Sequence, residues 1–187
     1  MTNPGPGPLA GIRVLEVGTM LAGPYATMML ADLGADVTKI EPLAGEISRQ
    51  VGDTYFASLN RGKRSVCLDL GSPDGQRRLA ELVKDAHALL VNLKPSAIRR
   101  LGLTYDSLKS HNERIVCVAL TGYGLDGGDD PAFDYLIQAA TGIASLTGDP
   151  DRVAHEPEAA RRAQRSVCPG ERFREGKNGP GGHAQRP

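Results

Sequence analysis

Over the first 150 residues, apolar positions fall in short runs separated by polar, glycine-bearing stretches. The run at 12–17 is β-branched and followed by Gly18, which predicts a buried strand. Pro24 fits the first turn of a helix over 25–33, with Met28, Met29 and Leu33 inward and Gly34 as its cap. A second strand is predicted over 36–41, stopped by Pro42. Residues 43–64 are polar with one apolar break at 55–59 and read as a long functional loop carrying a helical turn. Alternation predicts a strand over 65–70. Ser72 as N-cap and Pro73 at the first position then open a helix whose inner face is Leu79, Leu82 and Val83. Strands over 88–92 and 115–120 follow, separated by short helices over 95–101 and 105–110, the second capped by Thr104. A last helix is predicted over 133–146, with Leu136, Ile137, Ala140 and Ile143 inward. Apolar strands alternating with helices imply an α/β fold: a Rossmann-like, mostly parallel sheet with helices on both faces. In such sheets ligands bind where the carboxyl ends of the strands open into loops. Those loops are 18–24, 41–64, 92–100 and 121–133.

Composition sharpens the boundaries. The chain has 22 basic and 22 acidic residues, so its formal net charge is zero. A neutral chain offers no electrostatic case for nucleic acid or an anionic membrane as main partner. No run of eighteen apolar residues suggests a membrane span, and the first eight residues do not resemble a signal peptide. Three cysteines do not make a disulfide scaffold and fit a reducing cytoplasm. The zero splits into −3 over 1–150 and +3 over 151–187. After 150 the large apolar residues are Val153, Val167 and Phe173. The expected organisation is a disordered N-terminus over 1–8, one α/β unit over 9–150 and an Arg/Gly/Pro-rich disordered tail over 151–187.

Several chemistries can be weighed on spacing. Gly18-Thr19-Met20-Leu21-Ala22-Gly23 follows a strand, and Glu41 ends the next one, as in a nicotinamide dinucleotide site. The glycines do not match G-x-G-x-x-G, which argues against an NAD(P)-dependent oxidoreductase. No phosphate-binding P-loop motif occurs. Asn60-Arg61-Gly62-Lys63-Arg64-Ser65 and the cluster Lys94, Arg99, Arg100 are two basic groups expected at one end of the sheet, where they would suit an anionic small ligand. Cys67 and Cys117 read as small buried hydrophobes. No His, Cys or carboxylate spacing suggests a metal. Asp134, between Phe133 and Tyr135, is a candidate catalytic carboxylate whose plainer reading is a helix-start acid.

One series of motifs runs through the same region. It begins with Leu9-Ala10-Gly11-Ile12-Arg13-Val14-Leu15-Glu16, Leu21-Ala22-Gly23-Pro24 and Leu30-Ala31-Asp32-Leu33-Gly34-Ala35-Asp36-Val37-Thr38-Lys39-Ile40-Glu41-Pro42. It continues with Asn60-Arg61-Gly62-Lys63-Arg64-Ser65, Leu68-Asp69-Leu70, Asn92-Leu93-Lys94-Pro95, Arg100-Leu101-Gly102-Leu103 and Thr121-Gly122-Tyr123-Gly124. It ends with Phe133-Asp134-Tyr135-Leu136-Ile137-Gln138-Ala139-Ala140-Thr141-Gly142, through Thr147-Gly148. In this order the motifs resemble the N-terminal part of the family III CoA-transferases (the CaiB/BaiF family), over about 9–150.

The resemblance implies transfer of CoA between acyl-CoA and a carboxylic acid, with coenzyme A as substrate and no covalently bound cofactor. It implies CoA contacts at Met20, Leu21, Ala22, Lys39, Pro42, Leu68, Asn92, Leu93, Lys94, Arg100 and Leu101. In the family an Asp nucleophile forms an acyl-enzyme anhydride and then an enzyme–CoA thioester. The stretch matched to it, Ala159-Ala160-Arg161-Arg162-Ala163-Gln164-Arg165, has no Asp, and none follows Asp151, so no residue is assigned that role. Family members are also roughly twice this long and form interlocked homodimers, which this chain is not expected to form. The resulting expectation is a truncated or frameshifted CoA-transferase; the alternative is a CoA-binding remnant or subunit without catalysis.

Overall fold

The computed structural model describes residues 7–143. The chain divides into two compact units, Met1–Ala132 and Phe133–Pro187. In the first unit, β1 (Arg13–Gly18) leads into α1 (Ala22–Asp32), and β2 (Asp36–Glu41) into α2 (Ser48–Val51) and α3 (Asp53–Asn60). Next come β3 (Arg64–Cys67), α4 (Pro73–Asp85), β4 (Ala88–Asn92), α5 (Pro95–Arg100), α6 (Tyr105–Leu108) and β5 (Val116–Ala119). In the second unit α7 spans Asp134–Ala140. The expected tail and the boundary at 150 lie outside the described residues.

All five strands are parallel, in the order β3-β2-β1-β4-β5. The chain runs outward from the central β1 to β3, then returns to β1's other side with β4. The strand order therefore reverses between β1 and β4, the place where open α/β sheets leave a crevice.

Side-chain alternation divides the core in two. Leu15, Val17, Ile40, Leu89 and Val91 pack on one face with Leu79 and Val83 of α4, Ile98 of α5 and Leu108 of α6. Val14, Val37 and Ala88 point the other way, against Leu30 and Ala31 of α1. Ser72 caps α4 by accepting the Gly75 amide, with Pro73 at the first position, as its sequence predicts.

Four expectations need correction. Ile143, expected inward on the last helix, is 49 % exposed and lies past the end of α7 at Ala140. The segment 43–64 is not a loop with one turn but holds two helices. They are parted at Gly52, whose φ of 147° is open to glycine and strained for other residues. Met29 and Leu33 are 49 % and 44 % exposed rather than inward, because α1 starts at Ala22 and buries Gly23, Pro24, Thr27 and Met28 instead. Helices do not cover β5 on both faces among the described residues: Val116 and Val118 stay 59 % and 45 % exposed.

Glu41, the last residue of β2, ties down the following segment. Its carboxylate accepts two hydrogen bonds from Arg49, both at 2.7 Å, one from the Glu46 amide at 3.0 Å, and another from the Ser65 hydroxyl. Arg49 also lies over the Phe56 ring, 3.8 Å from its centre. The Arg49 hydrogen bonds outweigh the opposing effect of burial and hold the Glu41 carboxyl at about 2, far below its ordinary 4.5.

Two outcomes are expected in equilibrium unfolding. Leu89, fully buried, should lose about 2–5 kcal/mol on replacement by Ala, whereas Val118→Thr on the open face should change stability by about 0.5 kcal/mol or less. Because the folded-state pKa of Glu41 is depressed, its stabilisation is present above pH 4.5 and lost as pH falls toward 2. Arg49→Met should therefore cost on the order of 1 kcal/mol at pH 7, a figure reduced because Arg49 is half in solvent. The gap from the parent chain should narrow as pH falls through that window.

Candidate functional site

Of the residues that the family motifs single out, eight stand at the carboxyl ends of strands. Met20 and Leu21 follow β1, and Ala22 opens α1. Pro42 follows β2 and Leu68 follows β3. Asn92 ends β4 and is succeeded by Leu93 and Lys94. Gly18 and Asn92 are partners in the β1–β4 register, so the first and fourth of these segments meet at the crevice.

Asn92 joins them. Its side-chain oxygen accepts the Thr19 amide at 2.8 Å, and its side-chain nitrogen donates to the Thr19 carbonyl at 3.2 Å. Space there is tight: a Cβ on Gly23 would lie 2.6 Å from the Asn92 oxygen, and one on Gly18 2.8 Å from it. Both glycines are needed for this close approach. The next residue, Met20, has φ of 61° and is the non-glycine residue with positive φ among those described. That conformation costs about 1–2 kcal/mol and persists only where its surroundings hold it.

Beneath this segment is a buried group of charges. Glu16 of β1 and Lys39 of β2 face each other in the strand register. The Lys39 amine donates to Glu16 at 2.7 Å and to the Gly18 carbonyl at 3.1 Å, and lies 3.2 Å from Glu46. Lys63 donates to the other Glu16 oxygen at 2.8 Å and to the Pro24 carbonyl at 2.7 Å, and Thr27 adds a hydrogen bond to Glu16 at 2.7 Å. These four charged side chains are at most 2 % exposed. Burial lowers the Lys63 amine's pKa, and the nearby Glu16 charge only partly offsets this. At Glu46 burial opposes ionisation, but hydrogen bonds with Met20 and Ser48 and the charge of Lys39 prevail, and its carboxyl is lowered.

Several sequence expectations change here. Lys39 does not present its amine to a ligand, because that amine is enclosed between two glutamates. The basic stretch 60–65 is not an anion anchor: Arg61 pairs with Asp32, Lys63 with Glu16 and Arg64 with Asp36. Arg64 also begins β3, at the amino end of the sheet, so the two basic clusters do not share an end. Arg100 and Leu101 stand at the far end of α5, ~9 Å along its axis from the sheet's carboxyl rim. Arg99 is held by Asp126 and the Leu125 carbonyl. Lys94 and Arg100 form no ion pair among the described residues. Glu41 is committed to Arg49 and is not free to bind a ribose. Cys67 is exposed because it ends an edge strand, and Cys117 is half-buried, with its thiol pKa raised by burial. Asp134 begins α7, exposed and bonded to Gln138 at 2.6 Å, in keeping with a helix-start acid. Glu16 and Glu46 were not singled out by sequence, although a glutamate inside an apolar strand was a readable signal.

Among the described residues no helix is long and apolar enough to cross a membrane, and no group of three or more His, Cys, Asp or Glu could hold a metal ion.

The model of CoA-transferase family III matches residues 9–161, somewhat beyond the motif series. The succinate–glutarate CoA-transferase of Agrobacterium fabrum is 39 % identical over 160 residues, covering 77 % of this chain and 40 % of that protein. The succinyl-CoA:glutarate CoA-transferase of Mus musculus is 36 % identical over 154 residues, 77 % of this chain and 35 % of its own. A CAIB/BAIF family protein from Brucella suis superposes with a TM-score of 0.75 at 34 % identity, over 84 % of this chain and 45 % of the other. The chain thus spans about 40 % of the curated relatives it matches. With the parallel 3-2-1-4-5 sheet and the family match over most of the sequence, the chain belongs to CoA-transferase family III.

Proposed function

We propose that this chain binds coenzyme A along the carboxyl rim of the sheet and serves a reaction in which CoA passes from an acyl-CoA to a carboxylic acid. The observation that carries the reading is the convergence of family-matched segments on the crevice between β1 and β4, where Asn92 fastens one to the other. Met20 and Leu21 offer exposed apolar side chains there, suited to the uncharged pantetheine arm. Lys94 and Arg100 offer charges suited to the 3′-phosphate and pyrophosphate. The overall exchange converts R–CO–SCoA and R′–COO⁻ into R–COO⁻ and R′–CO–SCoA and needs no metal or redox partner. Relatives are named for succinate and glutarate, mesaconate, L-malate and oxalate, all small dicarboxylic acids. We take the acceptor here to be an acid of that class, and the cytoplasm as the place of reaction.

A binding-only role is the second reading. It is favoured by the absence of Asp from 159–165, the stretch matched to the family's nucleophile, which lies outside the described residues.

Calorimetry with free CoA separates these readings from none. Binding is expected, with Lys94→Ala and Arg100→Ala each weakening it by up to about tenfold. No heat at millimolar CoA would sink both readings. Incubation with succinyl-CoA and glutarate, followed by mass spectrometry, distinguishes them: glutaryl-CoA supports transfer, and its absence beside measurable CoA binding supports binding alone.

A further inference from the structure

We infer that Glu46 is a positioning residue for this site: it holds the backbone at Met20 in the left-handed conformation that turns Met20 and Leu21 out toward the crevice. The inference rests on the binding reading above and concerns a residue that would touch no ligand.

The segment between β1 and α1 has only three residues, 19–21, and each end of it is fastened differently. At Gly18 the carbonyl receives Lys39, and at Thr19 both backbone groups are taken by Asn92. The Thr19 carbonyl shares a peptide plane with the Met20 amide, so Asn92 holds one edge of that plane and leaves the amide edge to a second partner. The Met20 amide is caught by Glu46 Oε1 at 2.7 Å, across 26 positions of sequence. That oxygen also accepts the Ser48 amide at 3.2 Å, so its direction is set from two sides. The other carboxylate oxygen faces Lys39 without making a hydrogen bond.

Glu16 is shared by Lys39 and Lys63, so Glu46 brings the buried group to neutrality; charge balance by itself, however, does not set where its Oε1 points. What Glu46 adds is an acceptor for the amide edge of the peptide plane about which Met20's φ is set. The result is a strained turn that displays Met20 and Leu21 at 38 % and 53 % exposure, instead of folding them into the core. Without that acceptor Met20 would relax toward ordinary φ, and both side chains would be redirected.

The test uses the full chain with Glu46→Gln, which keeps an oxygen acceptor, and Glu46→Ala, which does not. Hydrogen exchange at the Met20 amide should rise from parent to Gln to Ala, about tenfold at the last step, while the Leu15 and Leu89 amides hold steady. CoA dissociation constants should follow the same order. In a Met20→Gly background, where the loss of that side chain cancels, Glu46→Ala should weaken CoA binding less than it does in the parent, since glycine takes positive φ without strain. A role limited to balancing Lys39 would give the same loss in both backgrounds. Flat Met20 exchange across the series, or an equal loss in the glycine background, overturns the inference. Should Glu46→Ala fail to fold, the Gln variant decides: a Met20-specific rise supports the inference, and none overturns it. If the parent chain binds no CoA, the reading of the site falls, and the Met20 amide still reports whether Glu46 holds the turn.

Discussion

Two glutamates and two lysines closed away from solvent set the geometry on which the rest of this fold depends. Isolated, any one of these charges would be far too costly to bury; together they are neutral, and nearly every oxygen and amine has a defined partner. Glu16 receives Lys39, Lys63 and Thr27 at once and so connects β1, β2, α1 and the chain entering β3. Glu46 continues the connection to the turn after β1. Removing one member would leave its partner charged and dry, so the arrangement tolerates little beyond its present form.

The same pairing occupies the cations of a basic, motif-rich stretch. Arg61, Lys63 and Arg64 resemble a phosphate clamp when read along the chain, but each is spent on a carboxylate from a neighbouring element. Lys94 and Arg100, which form no ion pair among the described residues, follow β4 instead, where the strand order reverses. The sheet topology decides between these clusters, and topology is not visible in residue spacing.

Much of the architecture was legible from strand patterns and their breakers: the apolar run of β4 at 88–92, and β2 at 36–41 bracketed by Gly34 and Pro42, match their expected bounds. The cap at Ser72 and Pro73 was equally plain. What escaped was whatever depended on a distant partner. The helix Asp53–Asn60 was hidden in a polar stretch because Leu59 and Asn60 are buried only once α1 lies beside them. Lys39 looked like a ligand contact because its motif is shared with proteins that bind CoA, while its partners Glu16 and Glu46 come together with it only through the β1–β2 register and the turn beyond it. Asn92, by contrast, was expected on the sheet's carboxyl rim, and the structure shows it there as a fastener of the neighbouring turn.

Every member of the buried charge group falls between Glu16 and Lys63, within one contiguous stretch of chain. Asn92, which fastens the turn after β1, lies outside that stretch, on the strand at β1's other edge. The electrostatic interior and the crevice are thus written into separate lengths of sequence that meet only at β1.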